Sequence, residues 1–190
     1  MIGNDVIDLE IPISKNWDTS RYLNKLFLPT EQEFIFHSAE PKIHLQLLWS
    51  LKEAAYKAHQ RRFNLPRAYN PLQFYSQVFS ETKNELLGKV ETGNAIYQTS
   101  STISKDHIHS IAREDSKDLI KSIFGNHIDL KKKLLLEYSR LYSIPIKELS
   151  IKKNENQIPF LYRNKLKLET YFSFSHHGKF SAFILALTNS

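Results

Sequence analysis

The 190-residue chain contains no cysteine, which excludes both a disulfide framework and a thiolate-held zinc ion. With nothing arguing for an oxidising compartment, a cytoplasmic location is expected. No apolar run approaches the roughly 20 residues a membrane-spanning helix needs. The N-terminus carries Asp5, Asp8 and Glu10 where a secretory leader would carry positive charge. Neither secretion by that route nor membrane association is expected. Glycine is scarce, at five residues, and none of them builds a Gly-rich phosphate loop or a Gly-x-Ser-x-Gly elbow. Nucleoside-triphosphate and serine-hydrolase chemistry of those kinds are therefore disfavoured. There is no His-x-x-x-His pair for a helical metal site, and no low-complexity tract.

What remains is an ordinary folding composition, 41% apolar and 12% aromatic, long enough for one sizeable core or two small packed halves. The net charge of +6 is unevenly placed. Residues 1–117 hold 14 basic against 14 acidic side chains, whereas residues 118–190 hold 12 against 6. An anionic partner is expected for the last third. Lys131-Lys132-Lys133 is the only basic triplet and has no interleaved aromatics, so nucleic acid is not the expected partner.

Periodicity divides the chain into two α+β halves, residues 1–117 and 118–190. Ile2–Leu9 alternates as a strand, and Pro12 limits its continuation. Thr30 with Glu33 three residues on predicts a capping box opening a helix. A second, longer helix is predicted over Pro41 to Arg62, with Leu47, Leu48, Leu51, Ala54, Ala55 and Ala58 on its buried arc. Short strands follow at Leu72–Phe79, Leu86–Glu91, Ala95–Ser101 and His107–Ala112, with Gly93-Asn94 favouring a tight hairpin. In the second half a helix is predicted at Asp129–Tyr142, stopping before Pro145. Further short strands are predicted after it, the last two at Tyr171–Ser175 and Phe180–Leu187, around a His176-His177-Gly178 corner.

Three places could carry chemistry. Glu53 and Lys57, four apart on the long helix, point the same way, beside Ser50 and off the apolar arc. Alone they would be a surface ion pair. Asp5, however, is a charge in an otherwise apolar strand, where it needs a counter-charge or a metal, unless it caps a turn. Together these residues suit a divalent cation and a phosphate. The His176 corner, following Ser173 and Ser175, is either a hydrogen-bonded turn or a phosphate ligand in which imidazole, hydroxyl and backbone N–H groups converge.

Gly3-Asn4-Asp5, Trp49-Ser50-Leu51-Lys52-Glu53-Ala54-Ala55-Tyr56-Lys57 and Phe174-Ser175-His176-His177-Gly178 together resemble the motifs of the 4′-phosphopantetheinyl transferases. Those motifs are Gly-x-Asp, Trp-Ser-x-Lys-Glu-x-x-x-Lys and a Ser-His corner. Residues 1–112 look like the C-terminal half of the two-module enzymes that activate peptide synthetases, with Phe27–Glu31 resembling a Phe-x-x-x-Glu segment. Residues 129–187 look like their N-terminal half, so the halves stand in circularly permuted order. The motif order is that of the smaller acyl-carrier-protein synthase type.

The resemblance implies an α+β fold of two similar halves packed as a pseudo-dimer with small antiparallel sheets, and a catalytically complete monomer. It implies transfer of 4′-phosphopantetheine from coenzyme A to a serine of an apo acyl or peptidyl carrier protein, releasing adenosine 3′,5′-bisphosphate. Asp5 and Glu53 would bind Mg²⁺, Glu53 would serve as base, Lys57 would hold the attacked phosphate, and Ser175 and His176 would hold coenzyme A phosphates. Ile7 stands where some members have a second metal-binding carboxylate, and Asp8 should face the other side of the strand, which leaves that coordination place to water. Gln157-Ile158 replaces a Gly-Lys step, and His127 or one of Lys131–Lys133 would stand in for the family's helix arginine. The alternative of another class is a non-catalytic module of the same fold that grips a nucleotide or an acidic partner through residues 118–190.

Overall fold

The computed structural model describes residues 1–115, 118–125 and 128–187. In chain order its elements are β1 (Ile2–Asp8), α1 (Ser20–Leu23), α2 (Pro29–His37), α3 (Pro41–Phe63), β2 (Tyr75–Glu81), β3 (Glu85–Thr92), β4 (Ala95–Ile103), β5 (His107–Arg113), β6 (Leu119–Gly125), α4 (Leu130–Tyr142), β7 (Leu149–Lys153), β8 (Pro159–Arg163), β9 (Leu166–Lys167), β10 (Phe172–His177) and β11 (Phe180–Ala186). They form three antiparallel sheets, ordered β1-β5-β4-β3-β2, β10-β11-β6 and β7-β8-β9. The α+β expectation and the small antiparallel sheets are borne out.

Helix α3 follows its sequence pattern closely. Leu47, Leu48, Leu51, Ala54, Ala55 and Ala58 are all sealed in the main core, together with Phe27, Ile35, Leu86, Val90 and Tyr97. The helix ends at Asn64, whose left-handed backbone (φ 50°) closes the last turn with a hydrogen bond to the Gln60 carbonyl. Helix α4 is capped by Asp129, whose side chain accepts from the Lys132 N–H at 3.1 Å, and it stops at left-handed Ser143. A smaller core gathers Leu134, Tyr138, Leu149, Leu161, Phe172, Phe183 and Leu185 beneath it.

Strand β1 is the central member of the architecture. Its alternation separates two buried partners rather than core from solvent. Gly3, Asp5 and Ile7 face α3, while Ile2, Asn4, Val6 and Asp8 face the β10–β11 hairpin. The approach to α3 is so close that a Cβ on Gly3 would lie 2.1 Å from the Ala54 carbonyl oxygen.

Several local expectations need correction. The helix predicted to open at Thr30, α2, begins at Pro29 with Leu28 as its cap, and Glu31 rather than Glu33 closes it, accepting from the Leu28 N–H at 2.8 Å. Proline is favoured at the first helical position, which shifts the start one residue ahead of Thr30. Leu72 lies in a single 3₁₀ turn, Pro71–Gln73, set by the Asn70 side chain, so the strand starts at Tyr75. Strand β6 lies where the sequence predicts no strand, whereas β7, β8 and β9 are the further short strands expected after the Asp129–Tyr142 helix. The division expected at residue 117, and His127, fall outside the described residues.

Candidate active site

A cleft opens where α3 faces the β10–β11 hairpin. It has two lobes of about 730 and 710 Å³, which share Glu53, Lys57, Arg67, Lys153, Phe174 and His176. The first lobe is lined by further basic and polar groups, among them Arg61, Lys131 and Gln157. The second is mostly apolar, with Ile7, Ile13, Leu26, Leu45 and Trp49 in its wall.

At the junction, Asp5 is gripped by two residues of α3. Ser50 Oγ donates to its Oδ2 at 3.1 Å, and Lys57 Nζ donates to its Oδ1 at 3.0 Å and to the Asn4 carbonyl at 2.9 Å. The expected counter-charge for Asp5 is therefore Lys57. Glu53, one turn before Lys57, projects into both lobes. Burial pushes its carboxyl up to about 7; Lys57 and Arg67 pull it down and the Asp5 charge pushes it further up. Two carboxylates from different elements thus share one field, with cations on either side.

The preceding motif residue behaves differently. Lys52 is completely buried and donates to Glu31 at 2.6 Å, the Leu26 carbonyl at 2.8 Å and the Pro71 carbonyl at 3.1 Å. Glu31 also accepts the Ser76 and Leu28 N–H groups, each at 2.8 Å. Within one motif, Lys52 ties the core together and Glu53 and Lys57 face the cleft.

The Ser-His corner forms the opposite wall. His176 is exposed and borders both lobes. Ser175 also borders the second lobe, but it is buried, and its Oγ accepts from Asn4 Nδ2 at 3.0 Å. Asn4 Nδ2 also bonds His109 Nε2 at 3.1 Å. That imidazole is kept neutral by burial, which pulls its pKa down to about 3, so the ring nitrogen is the acceptor. Asn4 thus links the two walls, holding Lys57 through its carbonyl and Ser175 through its amide.

Asp8 points away from the cleft, as its position on the strand implies. It accepts the Lys179 and Glu10 N–H groups at 2.9 and 3.0 Å, and its own N–H donates to His177 Nδ1 at 3.0 Å. Its charge fixes the hairpin turn at Gly178, where φ is +54° and an added Cβ would strike the Asp8 carboxylate. The backbone N–H of Lys179 holds its pKa below the ordinary value.

The sequence reading passed over Arg67, Lys153, Arg61 and Tyr69. Arg67 follows the Leu65-Pro66 step and reaches the junction from a loop. The buried Tyr69 hydroxyl has no hydrogen-bond partner among the described residues, and burial together with the Glu53 and Asp5 charges drives its pKa far upward. Among the described residues, no cluster of three or more His, Asp or Glu side chains could hold a metal by protein ligands alone. Asp5 and Glu53 supply two hard oxygen ligands that repel each other, a donor set that suits Mg²⁺ completed by water and substrate phosphates.

The family model described as the 4′-phosphopantetheinyl transferase superfamily matches residues 1–112. No curated protein matches the chain. The matched region contains β1, α3 and all of the five-stranded sheet but the last residue of β5, and so carries Asp5, Glu53 and Lys57.

Proposed function

The chain belongs to the 4′-phosphopantetheinyl transferase superfamily, and on that footing we propose that it moves 4′-phosphopantetheine from coenzyme A onto a serine of an apo acyl or peptidyl carrier protein. The observation that carries this reading is the junction itself. Glu53, poised at about 7, and the Asp5–Lys57 pair meet between a basic lobe and an apolar one.

In this reading the carrier serine oxygen bonds to the phosphorus bearing pantetheine. The bond from that phosphorus to the bridging oxygen breaks, and adenosine 3′,5′-bisphosphate leaves. Glu53 takes the serine proton, directly or through water. Lys57 can follow the attacked phosphate by exchanging one of its two oxygen partners for a phosphate oxygen. Asp5 and Glu53 would hold Mg²⁺, which would neutralise charge across the diphosphate. The basic first lobe suits the phosphates of the donor. His176 faces it directly. Ser175, its oxygen already accepting from Asn4, retains its hydroxyl proton for donation.

We further propose that residues 1–117 and 118–190 are the two modules of the family in permuted order, so that one chain contributes both walls and acts as a cytoplasmic monomer. Incubating the protein with coenzyme A, Mg²⁺ and a panel of apo carrier proteins, and weighing the products, tests the activity. A mass gain of one phosphopantetheine on at least one carrier is expected; folded protein that adds mass to none of them would refute the assignment.

A further inference from the structure

Asn4 is fully buried, and its backbone and side-chain N–H groups both reach serines of β10. The backbone N–H donates to Ser173 Oγ at 3.1 Å, and Nδ2 donates to Ser175 Oγ at 3.0 Å. Ser173 lines the first lobe of the cleft and Ser175 the second, and each is itself nearly sealed. Among the described residues neither hydroxyl has a further partner. A hydroxyl whose oxygen already accepts still has its proton to give, and a buried proton without an acceptor is costly to leave so. Each serine is thus set to meet an acceptor oxygen that enters the cleft.

The two serines are held in different ways. The backbone N–H above Ser173 cannot turn, because Lys57 and the strand fix the Asn4 backbone. The side-chain amide above Ser175 can turn: a half-rotation exchanges Oδ1 and Nδ2 at almost no change of shape, and Ser175 would then spend its proton on Oδ1. His109 on β5 decides between the two. Its Nε2 lies 3.1 Å from Asn4 Nδ2, and its ring is 3% exposed. Burial and the neighbouring Lys121, His107 and Lys57 charges keep the ring neutral, so Nε2 offers a lone pair that takes an amide proton and would repel a turned Oδ1. The observed orientation leaves only Oδ1 without a partner among the described residues, whereas the turned amide would strand two donors in the same sealed place. Neither Asn4 nor His109 borders either lobe.

We propose that His109 is a positioning residue for the donor substrate: acting through the Asn4 amide, it makes Ser175 an obligate hydrogen-bond donor to an oxygen of coenzyme A. The inference rests on the transferase reading for the identity of the ligand. The phosphate and carbonyl oxygens of that ligand only accept, so a serine held in the giving state meets them without first turning. The bonds run one way, from Asn4 to His109, from Asn4 to Ser175, and from Ser175 to the ligand. Ser173, held by a backbone group, gives its proton without help from His109 and is the internal comparison.

Two measurements on the full chain test this. In a long-range proton–nitrogen NMR spectrum, His109 Nε2 should carry no proton, and a protonated Nε2 overturns the inference with no variant needed. Calorimetric titration with coenzyme A and Mg²⁺ then reads the coupling. Ser175→Ala should weaken binding by about ten- to thirtyfold, the range of one hydrogen bond to a charged group, and His109→Phe by at least about fivefold. In a Ser175→Ala chain His109→Phe should cost less than about twofold more, whereas in a Ser173→Ala chain it should keep its full effect. A His109 that served packing alone would weaken binding equally with or without Ser175. That result overturns the proposal, as does wild-type affinity in a folded His109→Phe chain. Should His109→Phe not fold, the protonation of Nε2 decides. Coupled binding with no carrier modified would sink the transferase reading and leave this one standing, and transfer to a carrier without the coupling would do the reverse. A wild-type chain that binds no coenzyme A overturns both.

Discussion

Lys52 Nζ lies 2.6 Å from Glu31 Oε2 with both side chains sealed from solvent, and the residue that follows Lys52 on α3 faces an open cleft. The pair joins α2 to α3 and, through the Ser76 N–H, to the first residues of β2. Burial works against the Lys52 charge and holds its pKa below the ordinary value, and the Glu31 charge and hydrogen bond offset part of that penalty. Breaking such a pair leaves a buried ion uncompensated, at about 3–5 kcal/mol. Lys52→Met should therefore lower stability by that amount in urea denaturation. A Lys52→Met/Glu31→Leu double variant should lose clearly less than the two single losses combined. A Lys52→Met chain within 1 kcal/mol of wild type would show that the pair is dispensable.

The glycine of the Gly-x-Asp motif is required for a different reason. Its missing side chain lets β1 rest directly on the backbone of α3, with a hypothetical Cβ 2.1 Å from the Ala54 carbonyl oxygen and 2.7 Å from the Ala58 nitrogen. Neither atom can yield, because both belong to helix backbone. Gly3→Ala should lift the strand, drag Asp5 away from Ser50 and Lys57, and cost more than about 3 kcal/mol. Gly125→Ala, where nothing lies within 4 Å, is the matched control and should change stability by less than about 0.5 kcal/mol. Equal thermal midpoints for the two variants would contradict this account.

Glu53 predicts a pH dependence of stability. Its carboxyl ordinarily ionises at 4.5 and does so at about 7 in the folded chain. Between those values the folded state binds the proton and the unfolded state does not, so stability falls as pH rises from 4.5 through 7. The cost is absent below 4.5 and complete above 7. Glu53→Gln removes the charge and should raise the thermal midpoint at pH 8 by several degrees, on the order of 1–2 kcal/mol, with no gain at pH 4. A gain of the same size at both pH values would mean that the substitution acts through packing instead.

Much of the frame is legible in the sequence because it is periodic. Helix α3 shows its buried arc, and β3 and β4 flank a Gly93 that adopts φ +53°. The cleft-facing side of α3 is legible through spacing, since Glu53 and Lys57 must share a side. Strand β6 is harder to read: Leu119–Gly125 is only half-buried and exists as the edge partner of β11. The contact between Asn4 and Ser175 spans 171 residues, and no local pattern reports it. Arg61 does leave a signal. It follows Ala54 and Ala58 on the buried side of α3, where a guanidinium needs partners, here the Pro159 carbonyl and the Phe172 ring.

The Asp5–Lys57 pair makes a prediction in which two substitutions act with opposite sign. Lys57 now supplies the positive charge that Asp5 requires, at 3.0 Å, in the place where a divalent cation would compete. Removing the carboxylate subtracts a ligand; removing the ammonium subtracts a competitor and a source of repulsion. Binding of Mn²⁺ to the full chain, followed by electron paramagnetic resonance, should therefore weaken by at least about tenfold in Asp5→Asn and tighten by about three- to tenfold in Lys57→Met. The Lys57 effect should shrink in high salt only slightly, because the pair is partly buried. Under the proposed function the same Lys57→Met chain should bind coenzyme A more weakly, since the phosphate would lose its cation while the two carboxylates would gain affinity for the metal. A merely structural Lys57 would weaken both, and weaker Mn²⁺ binding in a folded Lys57→Met chain would remove the pair from the metal and phosphate chemistry assigned to it.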